Sequence, residues 1–189
     1  MRQHHNPFGK GITDMPTKID GKVTKVYTLW FSLLQRCYDP AWKANNKAYD
    51  GASLHEEWHT LSVFNQWFEQ NYIKGWELDK DLFGKHYSPS SCSFVPKIVN
   101  MFTTKSGRKQ TNGLMAGVYR PTGVKSGRFA AQCKDPILDK NVYLGMHDTE
   151  LQAHQKHVER KHQIALQLVD LYPEMTTEAK QALSTRYLQ

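Results

Sequence analysis

The segment from Gly117 to Ala165, GVYRPTGVKSGRFAAQCKDPILDKNVYLGMHDTELQAHQKHVERKHQIA, decides the architecture. It predicts three short strands, over 117–120, 127–134 and 141–146, and then one long helix. Turn formers separate the strands: Pro121, Gly123 and Gly127 in the first gap, Asp135-Pro136 and Asp139 in the second. His147-Asp148-Thr149-Glu150 reads as the helix start, because an Asp or Thr oxygen accepts from the free amides of a first turn. Alternation puts Arg128, Ala130, Gln132 and Lys134 on one face of the second strand, and Phe129, Ala131 and Cys133 on the other. The second set suits packing against the helix. The first set, with Arg120 and Lys125 beside it, suits a surface laid into the major groove of DNA. There Arg bonds guanine edges and Gln bonds adenine edges bidentately. An ordinary solvated sheet face carries the same pattern.

Working outward, the long helix is expected over 149–171, stopped by Pro173, with a terminal helix over 176–188. Upstream, residues 1–25 are polar and rich in Gly and Pro, and read as an arm. Tyr27, Trp30, Leu34 and Cys37 recur at helical spacing over 26–38, and Asp39-Pro40 ends that helix. Residues 41–51 read as a polar connection, 53–58 as a short strand and 61–72 as a second helix. The Trp and Phe residues of this region are expected in a core, not on a base-stacking platform. Over 76–99 the pattern predicts a strand (76–82), a loop (84–91), a second strand (92–95) and a helix opening at Pro96. Residues 103–112 form a basic linker.

The charge is uneven. Residues 1–100 carry 12 Lys and Arg against 10 Asp and Glu, net +2; residues 101–189 carry 13 against 8, net +5. An anionic partner is therefore expected mainly at the second half. Cys37, Cys92 and Cys133 are too scattered for a zinc knuckle, and their odd number without a secretory signal suggests a reducing cytosol. No apolar run approaches the roughly 20 residues needed to span a membrane.

Strand, loop, strand, helix is also the layout of a ββα-metal nuclease motif. Asp79 on the first strand and Asn100 on the helix are placed to supply oxygen ligands to one hard cation, Mg²⁺ or Mn²⁺. Such an ion stabilises charge on the leaving oxygen in phosphodiester hydrolysis, while a base activates water. Asp81 is a possible second carboxylate. The alternative is a charged strand end at 79–81 and an ordinary helix residue at Asn100.

Two resemblances sharpen this. Gly117-Val118-Tyr119, Gly127-Arg128-Phe129-Ala130-Ala131-Gln132, Tyr143-Leu144-Gly145 and Asp148-Thr149-Glu150 with Ala153 resemble the Apetala-type (ethylene-response-factor) DNA-binding domain. Trp30, Arg36-Cys37-Tyr38, Glu57-Trp58, Phe64, Leu78-Asp79-Lys80-Asp81, Tyr87-Ser88-Pro89, Cys92-Ser93-Phe94-Val95-Pro96 and Asn100 resemble phage and prophage HNH-type homing endonucleases that carry such a domain. Together they imply duplex DNA as partner, metal-dependent cleavage, and a bacterial host cytoplasm for a phage-encoded chain. They imply no small-molecule cofactor, and a monomer suffices to read an asymmetric site. The chain departs from the nuclease pattern twice: Lys80 stands where the base histidine is usual, and Ser91 near the orienting asparagine. His86 or Lys80 would then assist proton transfer.

His55-Glu56-Glu57-Trp58-His59 formally matches the zinc-protease pattern H-E-x-x-H, but the flanks read as a strand entering a turn rather than the helix that motif needs. His154, His157 and His162 read as a solvated or phosphate-facing stripe. The expectation is an α+β protein: an arm (1–25), a helical HNH-like module with a ββα element (26–102), a basic linker (103–112), a three-stranded antiparallel sheet on a long helix (113–171) and a helical tail (172–189). Arg36, Lys105, Arg108, Lys109, Arg120, Lys125, Arg128, Gln132 and Lys134 are the expected DNA contacts. A non-cleaving DNA-binding or regulatory protein on a degenerate nuclease scaffold is the competing expectation.

Overall fold

A computed structural model describes residues 6–80, 82, 84–104, 113–122 and 127–188. The fold is mixed α and β, in two compact units, Met1–Phe94 and Val95–Gln189. Among the described residues no helix is long and apolar enough to cross a membrane.

The first unit is built on aromatic rings. Helix α1 (Lys25–Tyr38) starts at Thr24, whose hydroxyl accepts from the Tyr27 amide, and it buries Val26, Trp30, Leu33, Leu34 and Cys37 along one side. Asp39 ends α1 and caps α2 (Pro40–Asn45), with its carboxylate accepting from the Trp42 amide at 3.0 Å. Residues 41–51 are therefore not a plain connection: a turn of helix opened by Pro40 and a 3-10 turn at Lys47–Tyr49 occupy them. Helix α3 (Leu61–Asn71) brings Phe64, Trp67 and Phe68 against Trp58, Tyr72 and Phe94. The indole of Trp30 donates to the Trp58 carbonyl at 2.7 Å, so the buried ring leaves no orphan donor.

The lead-in is not a loose arm over its described part. Residues 18–19 and 22–23 form a hairpin of β1 (Lys18–Ile19) and β2 (Lys22–Val23), turned by Asp20-Gly21, both at positive φ. Phe8 and Met15 pack on the core. Gly11 lies so close to Trp30 and Leu34 that an added Cβ would stand 2.6 Å from Leu34 Cδ1. Local composition gave no sign of this, because a glycine needed for close approach reads like one needed for flexibility.

Next come β3 (Ser53–Leu54), a 3-10 turn at Glu56–His59, β4 (Glu77–Asp79), β5 (His86–Tyr87) and β6 (Ser93–Val95). β4 pairs with β6, and β3 pairs in parallel with β5. The expected 76–82 strand is thus shorter, and the expected 84–91 loop contains a strand. A two-residue pairing across more than thirty residues of chain leaves no periodicity to read.

In the second unit α4 (Lys97–Thr103) follows Pro96. Its last carbonyls are met by donors from the chain's final third. Lys161 Nζ approaches the Phe102 carbonyl at 3.4 Å, Arg186 donates to Thr103 at 3.0 Å, and Tyr187 donates to Phe102 at 3.4 Å. Cations at a helix C-terminus satisfy its orphan carbonyls and complement its dipole. These bonds place α4 in the second unit, not with the module expected over 26–102.

The sheet runs β7 (Val118–Tyr119), β8 (Phe129–Asp135), β9 (Lys140–His147), all antiparallel. Helix α5 (Glu150–Leu171) opens with a capping box of Thr149 and Gln152, and α6 (Thr177–Thr185) packs on it. Register shifts within the sheet: Ala130 faces Met146, yet Gln132 faces Tyr143. Leu144 and Gly145 therefore stand opposite Ala131 alone, a bulge that Gly145 accommodates at φ 101°. Val118, Ala131 and Ala153 form the small core between sheet and α5.

Three polar contacts clamp α5 to the sheet and to the turn before β7. Asp135 is fully buried; one carboxylate oxygen accepts the Ile137 and Leu138 amides at 2.9 and 3.0 Å, and the other accepts Arg160 Nη2 at 2.5 Å. Burial works to raise its pKa, but these donors outweigh burial and hold it below the usual value. His157 Nδ1 donates to the Gln132 carbonyl at 2.8 Å, and His154 Nδ1 to Ala116 at 2.9 Å. These histidines face the sheet and are not the solvated stripe expected. Their ring nitrogens satisfy a carbonyl of β8 and one of the turn that precedes β7.

Gly117→Ala should lower unfolding free energy by about 2–3 kcal/mol. Alanine at φ 77° costs about 1–2 kcal/mol, and its Cβ would meet the His157 ring at 2.1 Å, breaking a bond of about 1 kcal/mol. Gly127→Ala, at φ 66° in open space, should show only the first cost in urea denaturation. Asp135 gives the second expectation. A carboxyl depressed in the fold contributes stability above its unfolded value, near 3.8, that is lost as pH falls through the folded value. Arg160→Met leaves that carboxylate buried without its cation, so it should cost about 3–5 kcal/mol at neutral pH. Its deficit should shrink below about pH 4, as the carboxyl protonates.

Candidate functional site

The outward face of the sheet is the first candidate. Cross-strand partners share a face, which here carries Tyr119, Ala130 and Met146 in one row, Gln132 and Tyr143 in the next, and Lys134 and Asn141 in the last. Gln132, Lys134, Asn141 and Tyr143 are exposed, with Tyr143 at 58%. Ala130 has the expected orientation but is fully covered, because its short side chain sits between Tyr119 and Met146. Tyr143 was not among the expected contacts. Its position opposite Gln132 depends on the bulge at Gly145, which shifts register and is invisible to simple alternation.

The cations around this face hold internal partners. Arg120 donates to the Gly127 carbonyl at 3.1 Å and lies 4.2 Å from the Phe129 ring centroid. Arg128 donates to the Met146 carbonyl at 3.1 Å and pairs with Asp148 at 2.8 Å. Lys134 pairs with Asp139 at 2.6 Å, and that contact holds the exposed Asp139 carboxyl below its usual pKa. These pairs are solvent-exposed, so each is worth little, and a phosphate or base edge can replace the partner at small cost. Lys105, Arg108, Lys109 and Lys125 lie outside the described residues, as does Asp81.

The second candidate is the expected cleavage site. Asp79, on β4 of the first unit, is 3% exposed, and its Oδ2 accepts the Leu82 amide at 3.0 Å. Asn100 lies on α4 of the second unit. Lys80 is buried, with its ammonium 5.2 Å from the Tyr49 ring and 5.5 Å from the Tyr87 ring. Arg36 joins the same cluster, 5.4 Å from the Tyr49 ring, with its guanidinium 3.3 Å from the Tyr87 hydroxyl. Lys80 and Arg36 thus spend their side chains on aromatic packing. Burial dominates Tyr87 and raises its phenol pKa, although Arg36 pulls the other way.

His86 has a different setting. It is exposed on β5, and its Nδ1 lies 2.8 Å from Ser53 Oγ on β3. An Nδ1–H donated to that hydroxyl leaves Nε2 with its lone pair, the form a general base requires. Ser91, near the position of the usual asparagine, donates to the His86 carbonyl at 2.5 Å instead. The H-E-x-x-H segment lies on a 3-10 turn, not an α-helix, and His59 turns to Tyr38 at 2.8 Å, which separates it from His55 chemically. Among the described residues no three His, Cys, Asp or Glu side chains gather as metal ligands.

The three thiols offer no nucleophile. All are buried, and burial raises Cys37 to about 11, Cys92 to about 12 and Cys133 above its ordinary value. A disulfide-exchange reagent at pH 8 should therefore leave all three cysteines unmodified in the native protein over minutes. In denaturant all three should react at once.

Compared with known proteins, the chain matches no family model, no curated protein and no solved structure.

Proposed function

We propose that this protein binds duplex DNA in a sequence-directed way through β7–β9 and cuts it in a metal-dependent, HNH-like homing reaction. One observation carries the reading: a sheet braced by a long helix presents Gln132, Lys134, Asn141 and Tyr143 outward, with Arg120 and Arg128 beside them. A three-stranded sheet of this kind suits the major groove, where long polar side chains reach base edges and cations reach phosphates. The basic excess of residues 101–189 supports the same partner.

In the cleavage step Asp79 is the proposed oxygen ligand of the first unit for Mg²⁺ or Mn²⁺, which would supply Lewis-acid stabilisation of the leaving oxygen. His86, oriented by Ser53, takes the proton from the attacking water. Lys80 is not assigned a proton-transfer role, since its side chain is buried between tyrosine rings.

A non-cleaving DNA-binding protein is the second reading. The burial of Asp79 and its bond to the Leu82 amide favour it, because a carboxylate that closes a turn needs no metal.

Supercoiled DNA incubated with the protein and Mg²⁺ or Mn²⁺ should be nicked or linearised. EDTA, Asp79→Asn and His86→Ala should each abolish this while gel-shift binding persists. Binding without cleavage under any metal would establish the second reading. Lys134→Ala should weaken binding to all sequences and reduce the salt slope by about one. Gln132→Ala should cost about 1–3 kcal/mol on the preferred sequence and flatten the preference. Unchanged preference in Gln132→Ala and Arg128→Ala would remove the sheet as the reader.

A further inference from the structure

His55, just past the end of β3, and His86, on β5, stand close together. In the parallel register Ser53 faces His86, and the His55 amide donates to the Tyr87 carbonyl at 2.8 Å. Ser53 and His55 are two residues apart, so they share a face of the chain as it leaves β3. The two imidazole centroids are 6.3 Å apart. Nδ1 of His55 is buried and has no hydrogen-bond partner among the described residues. Nδ1 of His86 is held by Ser53 Oγ, which orients the ring as second-sphere partners orient metal-ligating histidines.

We propose that His55 and His86 form a two-imidazole site for a borderline transition-metal dication, Zn²⁺, Ni²⁺ or Cu²⁺. A ring nitrogen bonds such an ion at about 2.1 Å, which puts the ion roughly 3.2 Å from the ring centroid. Two imidazoles on one ion then have centroids at most about 6.4 Å apart, and about 5.2 Å at a tetrahedral angle. The observed 6.3 Å lies inside the outer limit, and the exposed His86 ring needs to swing by only about 1 Å to reach the tetrahedral value.

The donor set selects the ion. Neutral imidazole suits borderline dications, whereas Mg²⁺ and Ca²⁺ require oxygen ligands. His59 is excluded as a third ligand, because Tyr38 engages its Nε2 at 2.8 Å and the Glu56 carbonyl its Nδ1 at 2.7 Å. Water completes the shell. Where the nuclease reading holds, an ion here takes the His86 lone pair needed for proton transfer, so it is an inhibitor and not the catalytic metal. The binding site itself does not depend on that reading.

Calorimetric titration of the full chain with Zn²⁺, Ni²⁺ and Mg²⁺ at pH 7.5 tests the site without reference to cleavage. One Zn²⁺- and Ni²⁺-binding event should be lost in both His55→Ala and His86→Gln, and Mg²⁺ should give no such event. Ser53→Ala should weaken it by about tenfold. Wild-type stoichiometry and affinity in His86→Gln would overturn the proposal. That residue is exposed, so its variant keeps the test decisive even if His55→Ala fails to fold.

Discussion

The buried carboxylate of Asp135 ties together everything the second unit needs to present a rigid surface. It closes the β8–β9 turn through two amides and holds α5 through Arg160. A fully buried charge persists only when its partners are complete, because desolvation costs several kcal/mol per ion. The strand hairpin and the helix are therefore fixed by one group. His157 and Gly117 repeat the device at the other strand junction, where the ring bonds Gln132 and packs where any Cβ would stand.

That frame decides how the outward face behaves. Gln132 has its backbone carbonyl committed to the helix and its side chain exposed to solvent. Arg120, Arg128 and Lys134 rest on exposed partners instead. A surface of this kind is ordered by its own frame, and its exposed pairs are individually weak. The bulge at Gly145 adds Tyr143 to the same row as Gln132.

The first unit is governed by aromatic packing around Trp30 and Trp58. That packing sorts the polar residues of the 76–95 segment into two groups. Asp79 and Lys80 are drawn inward, the one closing a turn and the other lying against Tyr49 and Tyr87. His86 is turned outward beside Ser53 and His55. Side chains six residues apart thus meet opposite environments within one short stretch.

The sequence by itself determined the elements with strong local signals. The strand, turn and helix-start pattern of 117–171 and the apolar stripe of α1 are legible because period-2 and period-3.6 burial and helix caps act between near neighbours. The polar face at Gln132 and Lys134 follows from the same alternation. Only the tertiary structure decided the rest. It docked residues 6–25 through Gly11, paired β3 with β5, assigned α4 to the second unit, and turned His157 onto a β8 carbonyl and His154 onto the turn before β7. Each of these rests on a partner far along the chain. Burial and hydrogen bonding between distant residues carry no periodic imprint, so charge and spacing alone could not place Lys80 inside or bring His55 beside His86.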